Sequence, residues 1–170
     1  IVLVNQNLTS TLNGAAVLLQ ATSYIGVAAS RTIQTTNGNI TLRSNAGGTA
    51  VVLPNTSTGA ITLNNGSSLL SNGGNITLGG NFDGTEGIGL YAASNLSGGA
   101  PAVLIDNATL TAAGGNINIY GKCASSYDDG IRLQAVITTT GSGTVGLYGD
   151  AHGGYNGTQL RDDVNQNRFV

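Results

Sequence analysis

A five-residue phrase recurs along this chain: Gly38-Asn39-Ile40-Thr41-Leu42, Gly59-Ala60-Ile61-Thr62-Leu63, Gly74-Asn75-Ile76-Thr77-Leu78, Gly115-Asn116-Ile117-Asn118-Ile119 and Gly143-Thr144-Val145-Gly146-Leu147. Each copy is a turn residue followed by a short alternating strand, and so short a strand cannot bury its apolar side chains alone. Copies must shelter one another, so a stack of repeats is the first architecture to expect.

The spacing specifies the stack. Val103 and Ile131 are 28 residues apart, as are Ile117 and Val145, which reads as one circuit of three short strands and three turns, the arrangement of a parallel β-helix. Leu69 to Leu110 and Ile76 to Ile117 both span 41, which places an inserted loop around residues 79–102. That insertion carries its own strand-like run, Ile88-Gly89-Leu90-Tyr91, expected to bulge from the stack or add a partial circuit. Ile33 to Ile40, Leu69 to Ile76 and Leu110 to Ile117 each span seven residues, and Ile137 to Val145 eight. Such a step is strand, corner, strand, with glycine supplying the positive φ of a sharp corner. Ala15 to Ala21 is read as a further inward strand rather than a helical turn.

Stacking implies ladders. Ile117 should meet Val145 inside, and Ile119 should meet Leu147. Tyr120 and Tyr148 should lie on the outer face one step apart, about 4.8 Å, with rings able to stack. Asn39, Asn75 and Asn116 occupy equivalent turn positions, where they either tolerate a left-handed turn or hydrogen-bond along the stack. Val4-Asn5-Gln6-Asn7 returns as Val164-Asn165-Gln166-Asn167, displaced by 160, which is either a long repeat or a coincidence in an Asn-rich chain.

Composition agrees with a stack and excludes several functions. Charged residues are 8% of the 170, while 27 glycines supply turns and 40% hydrophobic residues exclude simple disorder. Six basic residues against eight acids leave no basic stripe, so nucleic acid is not an expected partner. No apolar stretch is long enough for a membrane-spanning helix, and the opening Ile1-Val2-Leu3-Val4 reads as a segment excised or processed from a longer chain. Cys123 alone forms no internal disulfide, and with His152 the only histidine no zinc-type spacing exists. No cofactor is expected.

Candidate chemistry is sparse. Carboxylates near basic groups occur at Asp128 and Asp129, close to Lys122 and Arg132, and at Asp162 and Asp163 beside Arg161. Adjacent residues of a strand face opposite ways, so these pairs read as solvated turns rather than a catalytic dyad, and the chain is not read as an enzyme. Calcium at the same acids, or at Asp83 with Glu86, is a minor alternative, because the glycine-rich calcium repeat is missing. Cys123, in the loop Gly121 to Gly130, has no base partner in sequence and reads as an idle thiol.

The run Asp129-Gly130-Ile131-Arg132-Leu133-Gln134-Ala135-Val136-Ile137-Thr138-Thr139-Thr140-Gly141-Ser142-Gly143-Thr144-Val145, with Ser71-Asn72-Gly73-Gly74-Asn75-Ile76-Thr77-Leu78, resembles the repeats of the filamentous-haemagglutinin family of large bacterial exoproteins. The resemblance covers Arg31 to Asp150 and implies a right-handed parallel β-helix, exported and displayed as an adhesive or structural fibre. It carries no catalytic residues. The inserted loop before Ala102 and the missing secretion domain are departures from the family pattern. The expectation is therefore a single β-helical segment over residues 1–170, extracellular or on the bacterial cell surface, partnered by further repeats or by copies of itself head to tail. The rival expectation is a glycan-binding or glycan-cleaving β-helix whose sugar platform is Tyr91, Tyr120 and Tyr148.

Overall fold

The computed structural model describes residues 1–44, 60–80, 92–94, 101–123, 129–150, 157–160 and 168–169. Among them are sixteen strands and no helix. In chain order these are β1 (Val2–Val4), β2 (Leu8–Asn13), β3 (Val17–Gln20), β4 (Ile25–Val27), β5 (Thr32–Thr36), β6 (Ile40–Arg43), β7 (Ile61–Leu63), β8 (Ser68–Leu70), β9 (Ile76–Gly79), β10 (Ala92–Ser94), β11 (Val103–Thr111), β12 (Ile117–Cys123), β13 (Ile131–Thr138), β14 (Val145–Asp150), β15 (Thr158–Leu160) and β16 (Arg168–Phe169). Every strand pairing is parallel, in one ten-stranded and one six-stranded sheet.

Strands pair by column. The first column runs β1, β4, β7, the start of β11, the start of β13 and β15. A second runs β2, β5, β8 and the far halves of β11 and β13 to β16. The third, in the six-stranded sheet, runs β3, β6, β9, β12 and β14. The chain visits the columns in the same order each time, and one such pass is called a tier below. The expected partners are in register: Val103 with Ile131, Leu69 with Leu110, Ile76 with Ile117, Ile117 with Val145 and Ile119 with Leu147. Val17–Gln20 is a strand, as the sequence suggested for that stretch.

Alternation puts one side of each strand inward, and like residues meet in columns. Ile25, Ile61, Val103 and Ile131 are fully buried, as are Ile33, Leu69, Leu110 and Ile137, and Ile40, Ile76 and Ile117. Fifteen residues separate Val2 from Val17, Ile25 from Ile40 and Ile61 from Ile76, and fourteen separate Val103 from Ile117 and Ile131 from Val145. Length varies most at one corner, the return from the six-stranded sheet to the first column. Those links hold 4, 17, 23, 7 and 7 residues in turn. The insertion belongs to the third of them. Its expected strand at Ile88 to Tyr91 lies outside the described residues, and β10 follows directly, paired with the end of β12.

The corners explain the recurring phrase, with one change of reason. Positive φ falls at Asn37, Asn72, Gly73, Ala113, Gly114 and Gly141, before the phrase's own glycine. Gly38, Gly74, Gly115 and Gly143 are required instead by close approach. A Cβ on Gly74 would fall inside 3.0 Å of the Gly38 carbonyl, and one on Gly115 equally close to that of Gly74. The Asn that follows forms a ladder rather than a left-handed turn. Asn39 Oδ1 accepts the Asn75 N–H (2.9 Å), Asn75 Oδ1 the Asn116 N–H (2.8 Å) and Asn116 Oδ1 the Thr144 N–H (2.9 Å). Inside the same corner Thr35 Oγ1 donates to the Gly38 carbonyl (2.6 Å), Ser71 Oγ to that of Gly74, and Thr139 Oγ1 to that of Gly115 (2.6 Å). These hydroxyls satisfy backbone acceptors that the turn would otherwise bury unpaired.

Candidate functional site

Three surface features carry chemistry, and each follows from the register. The first is aromatic. Tyr120 and Tyr148 face each other across β12 and β14, ring centroids 4.5 Å apart and planes inclined by 7°. Tyr120 therefore covers one face of the Tyr148 ring. The other face is turned along the stack, and the side chain is 45% exposed. Gly146 lies on the same face two residues before Tyr148, whose ring crosses its backbone; an added Cβ there would meet the ring carbon Cε2 at 2.7 Å and the hydroxyl oxygen at 2.8 Å. Tyr91, the third expected platform residue, lies outside the described residues. The described pair offers ring edges and one ring face.

The second feature is a polar groove along the first column, lined by Leu104, Ile105, Asp106, Arg132 and Gln134. Leu104 lies beside Arg132 and Asp106 beside Gln134 in adjacent strands. The guanidinium is fixed by Asp129, whose Oδ2 accepts from Arg132 Nε (3.1 Å) and Nη2 (3.0 Å). Asp129 is buried, which corrects the solvated turn expected there. An unpaired carboxylate would be costly to bury, and Arg132, three residues on, makes the burial possible. Asp128 and the Arg161 to Asp163 group lie outside the described residues. Lys122 forms an ion pair with Asp150 of the neighbouring strand rather than with Asp129. Cys123 is the last residue of β12, not part of a loop, because its pairing with Ser94 of β10 extends the strand to that point. Among the described residues no three His, Cys, Asp or Glu side chains converge as a metal-ligand set.

The third feature was missed in the sequence. The first tier, β1 to β3, presents Ile1, Leu3, Leu8, Leu12 and Leu18 to solvent, Leu3 at 59%, Leu12 at 73% and Leu18 at 55% exposure. Its inward residues Val2, Val4, Val17 and Leu19 are only partly buried, whereas Ile25, Val27, Ile40 and Leu42, their partners one tier on, are fully so. Val2, Leu3, Val4, Leu8 and Leu19 line a shallow groove at this end. The sequence held a signal: Leu3 and Leu18 take outward positions that Gly26 and Thr41 fill in the next tier.

No helix among the described residues is long and apolar enough to cross a membrane. No protein-family model, curated protein or solved structure matches the chain.

Proposed function

We propose that the chain is a right-handed parallel β-helix serving as a mechanical element, a shaft or stalk segment of a secreted or surface-exposed bacterial fibre or adhesin, able to join copies of itself end to end. The observation that carries this reading is the unbroken column register. The same three strand positions pair in parallel from tier to tier, with an aliphatic interior and an Asn ladder along one edge. Such a body lengthens by tiers without changing its cross-section, and it resists extension through backbone hydrogen bonds shared between tiers. The filamentous-haemagglutinin resemblance of Arg31 to Asp150 supports the same role.

Electron microscopy of the purified chain tests the reading. Rod-shaped particles with a repeat of about 4.8 Å along the axis are expected. Particles lacking that repeat refute the β-helix and the shaft together.

A second reading, glycan binding, draws on the polar groove at Asp106, Arg132 and Gln134 and on the exposed Tyr148 ring. Binding on a glycan array that disappears in Tyr120→Ala and Tyr148→Ala would favour it, and released reducing ends would favour cleavage. Rods that persist in those variants, with no glycan bound by the parent chain, favour the shaft.

A further inference from the structure

We infer that Asn37 is a site of spontaneous covalent modification: its side-chain amide is lost through a cyclic imide closed by the Gly38 nitrogen, leaving aspartate or isoaspartate between the first two tiers. The inference stands apart from the shaft reading, because it needs only the local geometry of one corner.

The chemistry is that of an Asn-Gly pair. The Gly38 nitrogen bonds to Asn37 Cγ, the Cγ–Nδ2 bond breaks, and Nδ2 departs as ammonia carrying the Gly38 amide proton. Water then opens the imide at either carbonyl, giving aspartate or, with one extra carbon in the backbone, isoaspartate. Nothing is oxidised or reduced, and water is the co-reactant. Glycine favours the step because no side chain crowds the attacking nitrogen, and the step requires an amide N–H that is not already held by an acceptor.

The chain holds five such pairs, and the fold sorts them. Gly14 donates its N–H to the Thr36 carbonyl (2.7 Å), Gly66 to that of Asn107 (2.9 Å) and Gly73 to that of Ala112 (2.7 Å). Asn13, Asn65 and Asn72 therefore each precede a nitrogen whose proton is committed to the next tier. Asn156 lies outside the described residues. The Gly38 N–H has no acceptor among the described residues.

Two features of the corner explain the exception. In its other copies the glycine N–H turns back onto the carbonyl three residues earlier, Gly74 to Ser71 (3.4 Å), Gly115 to Ala112 (3.4 Å) and Gly143 to Thr140 (3.2 Å). The carbonyl that Gly38 would use, Thr35, instead accepts from Asn72 Nδ2 (2.7 Å). Those other glycines also follow Gly73, Gly114 and Ser142, whereas Gly38 follows an asparagine. The fold imposes both halves of the pair: Asn37 is held at φ 58°, which asparagine tolerates, and a Cβ on Gly38 would strike the Ala15 carbonyl. The Asn37 side chain is exposed, within reach of water. Its Nδ2 donates to Asn13 Oδ1 (2.8 Å), a rung between the first two tiers that a carboxylate cannot provide.

Peptide mapping of the folded chain, held for weeks in warm neutral buffer, tests the proposal, with electron-transfer fragmentation to tell isoaspartate from aspartate. Acid should accumulate at Asn37 faster than at Asn13, Asn65 or Asn72 by on the order of tenfold, the rate equivalent of one amide hydrogen bond. In denaturant the rates at these sites should converge. Asn72→Ala supplies a second arm, since Ala113 shows that alanine is accepted at the equivalent position, at φ 49°. Without the Asn72 amide the Thr35 carbonyl is released to the Gly38 N–H, so modification of Asn37 should slow several-fold. A folded chain in which Asn37 reacts no faster than the other three overturns the proposal. So does a ranking that persists unchanged in denaturant, which would assign the difference to sequence neighbours rather than to the fold. An Asn72→Ala chain with parent-like circular dichroism and an undiminished rate at Asn37 overturns it as well.

Discussion

At the scale of single residues, the repeated phrase is a set of separate physical demands. Gly74 is there because a side chain would strike the preceding tier's carbonyl, Asn75 because its amide oxygen serves the next tier, and Ile76 and Leu78 because they face inward. Gly74→Ala should therefore destabilise by about 1–3 kcal/mol through overpacking, read as a lower urea midpoint. An unchanged midpoint would mean the backbone yields freely. Ala113 is the opposite case, a residue with a Cβ held at φ 49°, where Asn72 and Gly73 serve the equivalent corner of the previous tier. Ala113→Gly relieves a left-handed strain of about 1–2 kcal/mol and adds flexibility to the unfolded chain, so a net gain of roughly 0.5 kcal/mol is expected. Tyr24 supplies a pH signature. Burial, only partly offset by a hydrogen bond with Thr62, raises its phenol pKa above the usual 10.0. The unfolded chain then ionises first, so this residue's contribution is complete below pH 10 and declines from about 10.0 up to the raised folded value. Tyr24→Phe should flatten that part of the alkaline loss in a denaturation series, and an identical slope in parent and variant would contradict the assignment.

At the scale of elements, the strands were legible because period-two alternation and fixed offsets survive in the sequence. Val103 with Ile131, Ile117 with Val145 and Tyr120 with Tyr148 needed only subtraction. The hydroxyls of Thr35 and Ser71 were not legible, because a buried threonine and a solvent-facing one look alike until the carbonyls around them are placed. Nor was the burial of Asp129, which depends on Arg132 reaching back across a corner. The irregular periods of 28 and 41 also concealed a simple rule, that the strands from β1 to β14 keep their spacing while one set of links absorbs most of the variation. The 17-residue link from β6 to β7 should then accept shortening to the 7 residues that join β12 to β13. Loop closure depends only weakly on length, so the expected melting temperature is within a few degrees of the parent. A drop of 10 °C or more would show that the link carries structural contacts.

At the scale of the whole molecule, stability in a parallel stack is a sum of nearest-neighbour terms, so it must be lowest where a tier has one neighbour instead of two. Among the described residues the first tier meets that condition. Its inward residues are only partly buried, five of its large apolar side chains face solvent, and its first outward ladder position is Ala16, which has no amide to offer Asn39. The middle tiers combine fully buried Ile and Leu columns with the Asn and hydroxyl ladders on both sides. Amide exchange followed by mass spectrometry should rank accordingly: segments from β1 to β3 exchange first, and those of β7, β9, β11 and β12 last. Uniform protection along the chain would mean that the molecule opens only as a unit, and the tier-by-tier account of its stability would fail.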